Sequence, residues 1–152
     1  MNPGVTHRST TVTRRIHADP TSTALLLAAP TAFELWPGVR RVTEVEGSLV
    51  VEATLPSRPP AEATVRALPP QRTPTSYVSR FAWSGPGLPA TSGELTLSFQ
   101  PNEEGIVETG ACLVLESDHE PTTVLHADEL TGLAAEFLAN LARLAELRGH
   151  AA

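Results

Sequence analysis

Between residues 39 and 116 the chain alternates apolar and polar side chains with a period of two, the signature of half-buried strands. Leu49, Val51, Ala53 and Leu55 fall on one face of residues 48–56, and Glu52 and Thr54 on the other. Residues 61–68 repeat this, with Ala61, Ala63, Val65 and Ala67 inward and Glu62, Thr64 and Arg66 outward. The pattern predicts strands over residues 39–46, 48–56, 61–68, 75–83, 94–100 and 106–116. Gly47, Pro59-Pro60, Pro69-Pro70, residues 84–87 and residues 102–105 supply the breaks. A further strand is expected over the β-branched residues 10–17.

Helical periods appear only at the two ends. Asp19 is suited to an N-cap and Pro20 to a first helical position, predicting a short helix over 21–29. A second short helix over 31–35 lies between Pro30 and Pro37-Gly38. The last segment predicts a long helix that starts between 122 and 128, runs to about 148 and is ended by Gly149. At roughly 100° per residue, Leu130, Leu133, Ala134, Phe137, Leu138, Leu141, Leu144 and Ala145 form one apolar stripe. Glu129, Glu136, Arg143 and Glu146 lie opposite it, and Asn140 borders it as a flank residue or one within reach of a ligand. Residues 1–9 are polar and expected to fray.

Short turns between strands imply antiparallel neighbours. The expected class is therefore α+β: a curved seven-stranded antiparallel sheet, two short helices after strand one, and a long C-terminal helix over its apolar face. The 152 residues amount to one ordinary domain, 1–152. Hydrophobic residues at 41% and charged residues at 18% are a globular composition.

Net charge of -6 argues against a phosphate-backbone binder, so no nucleic-acid partner is expected. All 11 basic residues are Arg, which with many Ala and Pro suggests a GC-rich bacterial genome. The longest apolar run, residues 24–30, is too short to span a membrane, and no signal peptide is expected. Cys112 is the single cysteine, which suits a reduced cytoplasmic setting.

Chemistry-bearing motifs are sparse. The five His (His7, His17, His119, His126, His150) include no i, i+4 pair, and Cys112 has no cysteine partner, so neither a metal nor a cofactor is expected. His119 and His126 fall among Asp118, Glu120, Asp128 and Glu129, a grouping read as a solvated acidic loop. Cys112 has opposite parity to Leu113 and Leu115 and reads as an inert thiol. Arg14 shares parity with Val12 and Ile16, and a charge on an inner face is costly unless paired. It meets a ligand carboxylate or enolate, pairs with an acid at a rim, or escapes through a parity slip. Tyr77, Ser79, Phe81 and Trp83 share a face, as pocket lining or as core.

Two stretches carry a family resemblance. Residues 12–20, Val-Thr-Arg-Arg-Ile-His-Ala-Asp-Pro, and residues 33–39, Phe-Glu-Leu-Trp-Pro-Gly-Val, look like the first strand with its Ala-x-Pro helix start and the Trp-x-Pro-Gly-Val lead into the second strand of the START-like (SRPBCC) helix-grip superfamily. That superfamily includes polyketide cyclase/dehydrase, lipid-transport and birch-pollen-allergen-like proteins. The element order extends the resemblance over residues 10–149. It implies a cavity between sheet and last helix, with Arg14, Trp36, Tyr77, Ser79, Phe81, Trp83, Phe99, Leu133, Phe137 and Leu141 as candidate lining. Three roles follow as expectations. One is carriage of an apolar or amphipathic molecule, a lipid or a polyketide-like aromatic. Another is cyclase, aromatase or dehydratase chemistry using Arg14, Tyr77 and Ser79. The third is a partner-binding module whose core is filled by Phe81, Trp83, Phe99 and Phe137.

Overall fold

A computed structural model describes residues 6–54, 60–85, 88–119 and 127–150. Within them the elements run β1 (Thr6–Ile16), α1 (Pro20–Leu27), a 3-10 helix (Pro30–Leu35), β2 (Val39–Val45), β3 (Ser48–Ala53), β4 (Ala61–Ala67), β5 (Gln71–Arg72), β6 (Ser76–Gly85), β7 (Leu88–Pro101), β8 (Val107–His119) and α2 (Ala127–His150). The fraying expected at residues 1–5, the break at Pro59, Pro86 and Gly87 of the fourth turn, and the stretch 120–126 lie outside the described residues.

The sheet is antiparallel throughout, in the order β1-β8-β7-β6-β4-β3-β2, with β5 beside β6. Directly opposed residues share a face, so the register defines the inner surface. One row runs Val12, Leu113, Leu95 and Ser79, and its neighbour runs Thr10, Leu115, Gly93 and Phe81. Phe81 continues to Ala67, and the next row links Trp83 through Val65 to Leu49. Leu49, Val65, Ala67, Phe81, Trp83, Leu95, Leu113 and Leu115 hold the common face that their alternation in the sequence predicts.

Boundaries differ from expectation at several elements, β8 running on to His119 among them, and one strand is additional. β1 begins at Thr6, because residues 6–9 find backbone partners in residues 116–119 of β8 rather than fraying. β7 begins at Leu88, six residues before the expected start. Thr91 and Ser92 look turn-like, but β6 and β8 offer ladder partners on both sides. The two-residue β5 had no alternation to reveal it; Gln71 and Arg72 simply meet Val78 and Tyr77. α2 continues through Gly149 to His150. A glycine ends a helix only by turning left-handed, and this one remains helical.

α2 lays Leu130, Ala134, Phe137, Leu138, Leu141, Ala142 and Ala145 against Ile16, Leu95, Leu97, Ala111, Leu113 and Leu115 in one buried cluster. Losing one such leucine to alanine costs about 2–5 kcal/mol. α1 starts at Asp19, whose side chain accepts from the Ser22 backbone N–H at 3.0 Å. The two threonines with no exposed surface are satisfied: the Thr23 hydroxyl donates to Asp19 O at 2.9 Å, and the Thr109 hydroxyl donates to Ala18 O at 2.7 Å.

Candidate functional site

At the β2 end of the sheet, the β2–β4 wing forms a second, smaller apolar cluster of Leu49, Val51 and Val65. Between that wing and the 3-10 helix lies a cavity of about 80 Å³. Its wall is apolar: Phe33, Trp36 and Pro37 on one side, Val39, Val51, Ala53, Ala63, Val65 and Trp83 on the sheet, and Leu133 from α2. Local sequence explains the space. Ala53 opposes Ala61 and Val51 opposes Ala63, so short side chains meet where the rest of the sheet carries leucines and aromatics.

An aromatic cluster seals the inner end. Trp36, only 8% exposed, stacks on Phe137 with centroids 4.4 Å apart and meets Trp83 edge-on at 5.2 Å. Phe81 stacks on Trp83 at 5.7 Å and meets Phe33 and Trp36 edge-on, both at 6.0 Å. Offset and edge-to-face pairs each add about 0.5–1.5 kcal/mol beyond burial. Phe81 fits because its strand partner is Gly93; a Cβ there would lie 2.3 Å from the ring.

Of the expected lining, Trp36, Trp83 and Leu133 border the cavity. Phe81, Phe137 and Leu141 sit behind it as buried core. Tyr77 and Phe99 are at the other end of the inner face, edge to face at 5.9 Å beneath the Arg72 guanidinium. The Tyr77 hydroxyl lies 3.2 Å from that of Thr21. Ser79 is half-buried in the row of Leu95, away from the cavity. Arg14 opposes Ala111, keeping inner parity, but β1 is an edge strand and the side chain is exposed. Arg14, Tyr77 and Ser79 therefore do not converge on the cavity. Cys112 opposes Thr13 and Thr96 on the outer face.

Seven lining residues were absent from the expected set: Phe33, Pro37, Val39, Val51, Ala53, Ala63 and Val65. The inner parity of Val51, Ala53, Ala63 and Val65 was readable, with two alanines among them, whereas Phe33 and Pro37 lie outside the strands and have no parity to read. Asn140 reaches no cavity; its Nδ2 donates to Leu35 O at 2.8 Å, tying α2 to the 3-10 helix. A broader hollow of about 650 Å³ lies on the outer face, between Thr64, Arg66, Ser84, Ser92 and Glu116. Its lining mixes polar and apolar side chains, Arg66 and Glu116 among them, unlike the apolar site beside the 3-10 helix.

Charge gathers where β1 ends. Glu108, 13% exposed at its side chain, accepts from Arg15 at 2.9 and 3.1 Å and pairs with His17 Nδ1 at 2.7 Å. The His17 hydrogen bond, then that of Arg15, hold its carboxyl below the usual range. The His17 backbone N–H donates to Glu146 of α2 at 3.0 Å. At Asp19, partial burial opposes ionisation, but hydrogen bonds from Ser22 and Thr21 outweigh it and lower the carboxyl pKa. Among the described residues no group of His, Cys, Asp and Glu is arranged to hold a metal ion.

An antiparallel sheet wrapped over one long C-terminal helix, with short helices after the first strand, is the helix-grip fold. Solved structures share it end to end. A conserved protein from Geobacillus kaustophilus superposes with a TM-score of 0.66 at 11% identity, covering 91% of this chain and 95% of that one. Norcoclaurine synthase from Thalictrum flavum, in complex with dopamine and hydroxybenzaldehyde, gives 0.63 at 13% identity, covering 93% and 87%. Ara h 8.0201 gives 0.60 at 11% identity, covering 92% and 98%. No protein-family model matches the chain, and no curated protein matches it in sequence. No helix among the described residues is long and apolar enough to cross a membrane.

Proposed function

We propose that the protein binds an apolar or amphipathic small molecule, a lipid or a polyketide-like aromatic, by its apolar end in the cavity beside the 3-10 helix. The observation that carries this reading is the wall: ten residues from four strands, the 3-10 helix segment and α2 line a recess whose surface is almost wholly apolar. Filling such space removes apolar surface from water at about 25 cal/mol per Å². A cavity near 80 Å³ is well below the few hundred Å³ that enclose a drug-sized molecule. The guest's apolar end enters, and any polar head stays outside. Norcoclaurine synthase, of the same fold, is seen with two small aromatics bound. We place the chain, as one domain of residues 1–152, with the START-like proteins on its fold and its Trp36-Pro37-Gly38-Val39 stretch. A reduced bacterial cytoplasm suits its single cysteine.

Partner binding by a filled core is the second reading, and the packing of Trp36, Phe81, Trp83 and Phe137 favours it. Native mass spectrometry separates the two. A bound mass that disappears on denaturation, and is not retained by Ala63→Phe, is the expected result. A clean apo mass, with no thermal shift from fatty acids or hydroxylated aromatics, refutes small-molecule binding and leaves the filled-core reading.

A further inference from the structure

We infer that the guest carries a zwitterionic head, with its anion held by Arg40 and Arg41 and its ammonium by Glu52 and Glu62; this rests on the binding reading above. A second hollow, of about 520 Å³, meets the apolar cavity at Ala53, which lines both. Its polar lining is Arg40 and Arg41 from β2, Glu52 from β3, Thr54 just beyond β3, and Glu62 from β4. A molecule whose apolar end fills the cavity and whose head leaves past Ala53 meets two cations and two carboxylates.

The backbone brings these charges to one place. Val39 opposes Ala53 but Arg41 opposes Glu52, so β2 holds one residue more than β3 at this point. Such a bulge takes a residue out of strict alternation, and Arg40 and its neighbour Arg41 line the same hollow. Among the described residues neither arginine is in an ion pair, although Arg41 has Glu52 directly across the ladder. Glu52 in turn opposes Glu62, and like charges directly opposed destabilise a sheet. An ammonium between the two carboxylates removes that repulsion. The row thus runs cation, anion, anion across three strands about 4.8 Å apart. That spacing fits a head whose two charges are a few bonds apart, as in an α-amino acid or a phosphoethanolamine. A simple anion would meet the arginines but also face both carboxylates. The Thr54 hydroxyl is buried with no hydrogen-bond partner among the described residues, a deficit that a polar group seated against it relieves.

Calorimetric titration at low salt compares ligands that share an octyl tail and differ in the head: octanol, octylammonium, nonanoate, the α-amino acid with an octyl side chain, and octyl phosphoethanolamine. Exposed ion pairs are weak, so a zwitterion should bind only about five-fold tighter than octanol, and salt should erase the difference. A gain confined to the amino acid assigns an amino-acid head, and one confined to octyl phosphoethanolamine a lipid head. Arg40→Gln with Arg41→Gln should cancel the gain at unchanged octanol affinity. Glu52→Gln with Glu62→Gln should weaken the zwitterions and strengthen nonanoate, opposite changes that a general loss of structure cannot produce. Nonanoate or octylammonium binding as tightly as the zwitterions overturns the two-sign head. A gain that survives both double variants overturns the residues assigned to it. Octanol binding with no zwitterion gain overturns this inference alone; if octanol itself does not bind, the binding reading falls and this inference with it.

Discussion

Replacing Gly93 by alanine tests how tightly the aromatic cluster is built. The added Cβ would lie 2.3 Å from Phe81 Cζ, 2.5 Å from Cε2 and 2.9 Å from Leu115 Cδ2. Relief requires the Phe81 ring to move by about 1 Å to reach ordinary van der Waals distance. It has no free direction, with Trp83 stacked on it at 5.7 Å and Phe33 and Trp36 edge-on at 6.0 Å. Overpacking of this kind costs about 1–3 kcal/mol. The better strand propensity of alanine returns roughly 0.5–1 kcal/mol. The net centres on a destabilisation of about 1 kcal/mol and reaches at most about 2.5 kcal/mol, a fall in Tm of roughly 2–4 °C per kcal/mol for a chain of this size. Differential scanning calorimetry reads the Tm. Both tryptophans, Trp36 and Trp83, belong to the disturbed cluster, so their emission should shift as well. Phe81→Leu in the same chain should recover part of the loss, since the shorter side chain vacates the site. A Gly93→Ala variant as stable as the parent, with unchanged emission, would refute the claim that this cluster is close-packed.

Two further outcomes concern charge. Asp19→Ala should cost about 0.5–2 kcal/mol at pH 7 through loss of the α1 N-cap. The folded carboxyl titrates below its unfolded value, so its contribution is present above about pH 4 and lost as pH falls through the lower folded value. Urea melts of the two proteins should thus differ at neutral pH and converge as the solution is made strongly acid; a difference independent of pH would contradict this. The Glu108 carboxyl carbon should titrate below the usual range, and His17→Ala with Arg15→Ala should raise the midpoint. An unchanged midpoint in the double variant would show that neither partner engages it in solution.

The succession of elements, the antiparallel pairing of consecutive strands and much of the inner face were legible because they depend on parity and on where turns fall; the pairing of β1 with β8 was not, since it joins segments far apart in the chain. The long helix was legible because eight apolar residues share one stripe. The cavity's size was not. Phe33, Trp36, Phe81, Trp83 and Phe137 come from three segments up to a hundred residues apart, and no local pattern says how their rings nest. The fate of Arg14 shows the same limit: parity puts it inward, whereas its exposure follows from β1 lying at the sheet's edge. The start of β7 was missed because small polar residues read as turn when considered alone, and only strands on both sides make them a ladder.

The sheet never closes, since β1 and β2 stand at opposite ends of the strand order. Each therefore presents backbone donors and acceptors that a foreign strand could use, the route by which sheet proteins coalesce. On β2 a register break between Val39 and Arg41 distorts that line, and exposed Arg40, Arg41 and Glu44 place charge along it. On β1 the exposed Arg14 and Arg15 stand at the equivalent place. Neutralising these positions should leave the fold intact and shorten the time the protein stays in solution at high concentration, because resistance to aggregation resides at these two margins.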